Sequence, residues 1–347
     1  MKISILLPYK ENFSSEYAGA VSLQLKDTIN LSKYKKNIKI FGYTTFKQNI
    51  LKKNYVNLST KKFFFQSTSN VYIRNFLDHE NKEPSKLIEI HNRPNYVKNI
   101  YKINKNLVLY FHNNPLDIKG SKTIDERNDL LKKVKKIIFI SNWIKNQFLK
   151  GIDKSFIKKK QLEVISHSTN KKFISFKNKK KIILFVGRLN KSKGYDIFGN
   201  SIINLLNKFP NWIAIVIGDE PREKHIFKHK NLKILGFQKH NIVSKYFEVS
   251  DISVVCSRWY EPFGRTALEA SSCGCAVIIT NRGGLPEASP KAMKIKSLTV
   301  KNVEKSIKKL IKNQSFKKLL QKRIYKHFYL TNNYISKKID GYRDKLI

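Results

Sequence analysis

At 347 residues the chain exceeds one ordinary core and fits two domains of about 170 residues each. Hydrophobic residues make up 41% and aromatics 12%, enough to fill two cores, which excludes disorder as the main state. The 69 Lys and Arg against 25 Asp and Glu give +44, a charge that draws polyanions such as nucleic acid, an anionic membrane or an anionic glycolipid.

Short apolar runs alternate with helix-like segments along the first half. Ile3–Leu7, Ile38–Gly42, Lys86–Ile90, Leu107–Phe111 and Lys136–Ile140 read as buried strands. Between them Ala20–Leu31, Ser69–His79, Tyr96–Ile103 and Asp125–Val134 carry helical spacing, and Ser141 caps a further helix. A lysine-rich stretch from Lys154 to Lys181 holds one short strand, Leu162–Ile165, and then a linker from Ser168 to Lys180. The pattern restarts with a strand at Ile182–Val186 and a helix at Tyr195–Lys208. Strands at Trp212–Ile217, Leu232–Leu235, Ile252–Cys256 and Ala276–Thr280 follow, and the tail from Val303 is helical. Alternation of this kind predicts an α/β chain with two successive parallel sheets, and a ligand held in a central cleft beyond the strands' carboxyl ends.

Cys256, Cys273 and Cys275 lack metal-ligand spacing, which speaks against a zinc module and a disulfide framework. No apolar run reaches the ~18 residues needed to cross a bilayer, and the apolar start is too short for a signal peptide, so the protein is expected to be cytoplasmic. Of the 69 basic residues 59 are Lys and 10 Arg, which fits compositional drift as well as a selected surface. Scarce arginine weighs against a specific nucleic-acid partner.

The segment richest in chemistry is Ser257-Arg258-Trp259-Tyr260-Glu261-Pro262-Phe263-Gly264-Arg265-Thr266-Ala267-Leu268-Glu269-Ala270. It leaves a strand and opens a helix. Pro262 and Gly264 make the turn, and the free N–H groups of the helix start suit a phosphate. Glu261 and Glu269 are carboxylates able to accept sugar hydroxyls. Upstream, Phe185-Val186-Gly187-Arg188-Leu189-Asn190-Lys191-Ser192-Lys193-Gly194 forms a second strand–loop–helix with two cations.

With these motifs the chain resembles the retaining glycosyltransferases of family 4, which have two Rossmann-like domains in the GT-B fold. Their Glu-x7-Glu signature fits Glu261 and Glu269, followed here by Gly283-Gly284-Leu285-Pro286-Glu287. The resemblance implies that Glu261 meets donor-sugar hydroxyls and Glu269 the ribose, with Pro262, Phe263 and Gly264 lying against the donor. It gives Arg188 and Lys193, beside Gly187, to the diphosphate, where fixed cations stabilise the leaving group without a metal. Gly218 and the Gly236-Phe237 turn border the base. Two strand ends, His91-Asn92-Arg93-Pro94 and His112-Asn113-Asn114-Pro115, look like those of bacterial lipopolysaccharide core glycosyltransferases. His112 takes a catalytic part in that family, and His91, Asn92 and Arg93 fall on the acceptor side. The family's Gly-Gly loop near the start appears here as Tyr17-Ala18-Gly19-Ala20, so only Gly19 carries over.

The implied domains are 1–168 for the acceptor, 169–323 for the nucleotide sugar, and a helix from 324 to 347 that crosses back. The implied protein needs no cofactor. It moves a hexose from a UDP- or GDP-linked donor to a lipopolysaccharide-core or other glycolipid or glycan acceptor, as a peripheral protein of the inner membrane. The alternative is a basic protein that binds nucleic acid or anionic membrane on an α/β scaffold without catalysis.

Overall fold

The apolar runs at the start of the chain become strands of one parallel sheet. They are β1 (Ile3–Leu6), β2 (Ile38–Gly42), β3 (Tyr55–Asn57), β4 (Leu87–His91), β5 (Leu107–Phe111), β6 (Lys136–Phe139) and β7 (Leu162–Val164). The second part gives β8 (Lys180–Val186), β9 (Ile213–Ile217), β10 (Leu232–Ile234), β11 (Ser250–Val255), β12 (Ala276–Thr280) and β13 (Met293–Ile295). This is a computed structural model, and it describes residues 1–9, 11–16, 18–46, 50–58, 60 and 67–347. Two units divide the chain: Met1–Ser168 with Asn332–Ile347, and Thr169–Thr331.

The first sheet runs in the order β3-β2-β1-β4-β5-β6-β7 and the second β10-β9-β8-β11-β12-β13. Parallel sheets are covered on both faces, so their strands are apolar throughout rather than alternating. β1, β5 and β12 are buried at every position. In each unit the strand order reverses once, between β1 and β4 and between β8 and β11. Ligands of doubly wound sheets bind beyond the carboxyl ends of the strands at such a reversal.

Local chemistry explains the helix starts. Ser141 Oγ accepts the Ile144 N–H at 3.1 Å and opens Asn142–Phe148. Thr123 and Glu126 form a reciprocal capping box at Ile124–Lys133. Tyr195–Lys208 has the bounds its spacing predicts.

Two readings change. The predicted linker mostly packs on the second unit. There the Thr169 N–H donates to Leu330 O at 3.2 Å, and Lys179 Nζ donates to Cys273 O at 2.7 Å. The tail is three helices, Val300–Lys312, Gln314–Lys326 and Asn332–Leu346. Ile324 lies inside the second of these, so the helix that joins the first unit starts at Asn332, not at 324. The three cysteines are free and buried, and burial pushes the thiols of Cys256 and Cys273 up to about 12. Among the described residues no helix is long and apolar enough to cross a membrane.

Candidate active site

The loops that follow β8, β11 and β12 are bound into one floor at the reversal of the second sheet. Backbone N–H groups of Arg258 and Trp259 both donate to Ser192 O, at 2.9 and 3.0 Å. The Arg258 guanidinium grips Asp196 with two bonds of 2.6 Å. The Gly284 N–H donates to Glu261 O at 2.7 Å. Glycine permits these approaches. A Cβ on Gly194 (φ +73°) would stand 2.0 Å from Cys256 O, and one on Gly218 1.9 Å from Gly187 O.

On this floor the structure brings Lys193 and Glu261 together. Lys193 Nζ lies 2.5 Å from Glu261 Oε1, and Ser257 Oγ donates to the same oxygen at 2.6 Å. The ammonium also sits 5.0 Å from the centre of the Trp259 ring. Asn190 holds the loop by accepting the Lys193 N–H at 3.0 Å. Its amide donates to Glu220, whose carboxyl falls to about 2 because Arg222 donates to it. Arg188, on the same loop, is exposed and has no hydrogen bond or ion pair among the described residues. An ammonium and a guanidinium within one six-residue loop can meet a diphosphate.

Glu269 lies elsewhere. Its Oε1 accepts from Arg265 Nε at 2.7 Å and faces His240 Nε2 at 3.0 Å. Burial alone would raise this carboxyl, but Arg265 and His240 hold it below the usual carboxylate range. Gly264 (φ +105°) precedes the helix Arg265–Ser272, and Pro262 and Phe263 are buried beside it. Gly218 and Gly236 are joined, N–H to carbonyl, at 2.8 Å, and Phe237 is 48% exposed.

In the first unit the two predicted strand ends meet. His91 Nδ1 lies 2.9 Å from His112 Nε2, and His112 Nδ1 lies 3.1 Å from His167 Nε2. Tyr110 stacks on His91 at 4.3 Å between centroids. A neutral imidazole has one donor and one acceptor nitrogen. His112 therefore accepts from one neighbour and donates to the other, and its tautomer fixes the direction of both contacts. Asn92, at φ +54°, aims Oδ1 at the N–H groups of His112 and Asn113, both at 3.2 Å. Arg93 Nη1 donates back to Asn92 O at 2.8 Å.

Gly19 opens the helix Ala20–Ile29, but Glu11 already occupies that start. Glu11 Oε1 accepts the Ser22 N–H at 2.9 Å and Ser22 Oγ at 2.8 Å, and a Cβ on Gly19 would stand 2.3 Å from it. Tyr17, the loop's neighbour in sequence, lies outside the described residues.

Residues 166–327 match the family model of glycosyl transferases group 1. A 2-deoxystreptamine N-acetyl-D-glucosaminyltransferase of Niallia circulans is 30% identical over 171 residues, 47% of this chain and 40% of that protein. The lipopolysaccharide core biosynthesis mannosyltransferase LpsB of Rhizobium meliloti is 33% identical over 128 residues, 34% of this chain and 36% of that protein. The chain spans about half or less of the length of the curated relatives it matches. The crystal structure of Anabaena HepE in complex with UDP and glucose superposes with a TM-score of 0.75 at 17% identity, covering 99% of both chains. The fold is thus GT-B, two Rossmann-like α/β units, as the motifs imply.

Within residues 166–327 the Glu261 and Lys193 motifs converge, and the side chains of His240 and Asn190 emerge as partners to which the motifs give no role. In the first unit, His167 and Asn92 Oδ1 meet the strand ends, and Glu11 fills the start of the helix Ala20–Ile29. The amide oxygen of Asn92, one of the residues expected on the acceptor side, holds the backbone of the next strand end.

The histidine row makes stability depend on pH. Burial holds His91 at about 3 and His112 well below its ordinary value. Both are neutral when folded, whereas the unfolded chain takes up protons below about pH 6.5. Their contribution is complete above that pH and is lost as pH falls towards 3. Each histidine should steepen the loss by about 1.4 kcal/mol per pH unit. Urea unfolding across that range is expected to show a shallower slope for His91→Gln. An unchanged slope would remove His91 from the account.

Proposed function

We propose that the chain is a retaining, metal-independent hexosyltransferase of family 4. It would take a UDP- or GDP-linked hexose and transfer it to a lipopolysaccharide-core or other glycolipid or glycan acceptor, as a peripheral protein on the cytoplasmic face of the inner membrane. The observation that carries this is the Lys193–Glu261 pair, with the exposed Arg188 on the same loop as Lys193, beyond the carboxyl ends of β8 and β11. Breaking a sugar–phosphate bond builds charge on the departing diphosphate. Arg188 and Lys193 stabilise it in place of a metal ion. Glu261 positions the sugar hydroxyls, and Glu269, held ionised by Arg265, receives the ribose. The departing phosphate oxygen takes the acceptor proton on the same face, so retention needs no protein nucleophile. His112 serves the transfer as a neutral imidazole. LpsB, named for lipopolysaccharide core biosynthesis, and HepE, seen with UDP and glucose, support the acceptor and donor classes.

The test is a melting-temperature panel with UDP, GDP, ADP and CMP at fixed moderate salt, with pyrophosphate and triphosphate as charge controls. A nucleoside diphosphate at ~100 times its Kd stabilises by about 2.7 kcal/mol. One base is expected to stand well above the others. Shifts that follow phosphate count alone would refute a donor site.

A further inference from the structure

We propose that a groove on the second unit seats an anionic phospholipid of a bilayer, with acyl carbon on its apolar floor and the phosphate on a Lys/Arg rim. This deepens the membrane part of the proposed function and rests on that part, not on sugar transfer.

Two adjoining cavities, of 610 and 250 Å³, share Lys291 and His327. The larger falls within the ~300–1,000 Å³ typical of ligand sites. Helix Gln314–Lys326 forms one wall of it. Phe316, Leu319, Arg323 and Lys326 recur at three- and four-residue steps, so they lie along one stripe of this helix. The stripe is apolar at its start and cationic at its end, which is the polarity of a lipid chain and its headgroup. Leu319 is 64% exposed on it.

Charge names the occupant. The 44 residues from 288 to 331 hold thirteen Lys and Arg and one acid, Glu304, which is more one-sided than the chain as a whole. Among the described residues, Lys291, Lys322, Arg323 and Lys326 pair with no carboxylate, and no acid lines either cavity. Unneutralised cations around an apolar floor suit an amphiphile with an anionic head. Aqueous polyanions have no use for the floor, and a neutral lipid has none for the rim.

The experiment is co-sedimentation of the full chain with vesicles of phosphatidylcholine alone and of phosphatidylcholine mixed with phosphatidylglycerol. Binding is expected only to the mixture. Each basic residue near an anionic leaflet is worth about fivefold in partition, so Lys322→Glu with Arg323→Glu should lower it at least ~25-fold. Lys301→Glu with Lys305→Glu makes the same charge change on exposed positions outside the groove, and should lower it less than ~5-fold. Leu319→Lys separates the floor from the field: a seated chain requires weaker binding, whereas simple attraction gives tighter binding. Equal losses from the two pairs, tighter binding by Leu319→Lys, or no preference for phosphatidylglycerol would each overturn the groove. Loss confined to the groove variants, with the nucleotide-induced melting shift kept, establishes it separately from the donor site. Anionic binding that ignores the groove variants would sink this site and leave the membrane reading standing.

Discussion

Glu261→Gln is expected to lower transfer turnover by about 10²–10³-fold, the usual cost of removing a group aimed at the developing charge or reacting sugar. The amide keeps the size of the side chain and removes its charge. In the folded protein that charge is matched by Lys193 at 2.5 Å, and the hydroxyl of Ser257 orients it at 2.6 Å. On the proposed function, a diphosphate reaching Lys193 would compete for the same ammonium and free Glu261 Oε1 to accept sugar hydroxyls. The variant should therefore lose turnover more than it loses nucleotide affinity. Its melting temperature should fall by several degrees, since Glu261 is buried and the amide leaves the half-buried Lys193 without its counter-charge. Steady-state turnover with a UDP- or GDP-hexose, beside a melt of each protein, checks both parts. Normal turnover in a folded variant would take Glu261 out of the site.

The strands were legible because a parallel sheet demands continuous apolar runs. Ile38–Gly42, Leu107–Phe111 and Ala276–Thr280 have the bounds that their composition predicts. Tyr55–Asn57 and Met293–Ile295 leave no apolar run in the sequence, because each is a three-residue edge strand with partly exposed positions. The end of helix Gln314–Lys326 was equally hidden. The break at His327-Phe328-Tyr329-Leu330-Thr331 contains neither Gly nor Pro, so in the sequence helical spacing runs on into the last helix. At the candidate site, short-range motifs were readable and long-range partners were not. Glu261 and Lys193 belong to recognisable strings. His167 joins His112 across 55 positions and carries no motif of its own. Glu11 fills the helix start where a phosphate loop was expected, and nothing in Glu11-Asn12-Phe13 announces that role.

Arg343→Met should destabilise the first unit by about 3–5 kcal/mol, because it leaves a carboxylate buried without its counter-charge. Glu89 lies inside β4 at 0% exposure, where an apolar residue is the rule. Arg343, on the last helix, meets it with Nε at 2.7 Å and Nη2 at 2.9 Å, and the hydroxyl of Tyr342 also donates to Glu89. Asp340 completes the cluster by accepting from Ser32 Oγ at 2.6 Å and from the Lys33 N–H at 2.9 Å. The returning helix is thus fastened by charge as well as by Ile335 and Ile339. Denaturant unfolding followed on the first unit's transition gives the loss. Pairing the change with Glu89→Gln should recover part of it, since the stranded charge is then gone. A second readout ties the cluster to the histidine row. Glu89 and His91 are two apart on β4 and share a face, and the Arg343 charge helps depress the His91 pKa. In Arg343→Met that repulsion disappears, so His91 should titrate at a higher pH, measurable by NMR of the imidazole. A loss below ~1 kcal/mol with unmoved His91 would mean that this helix is held by apolar packing alone.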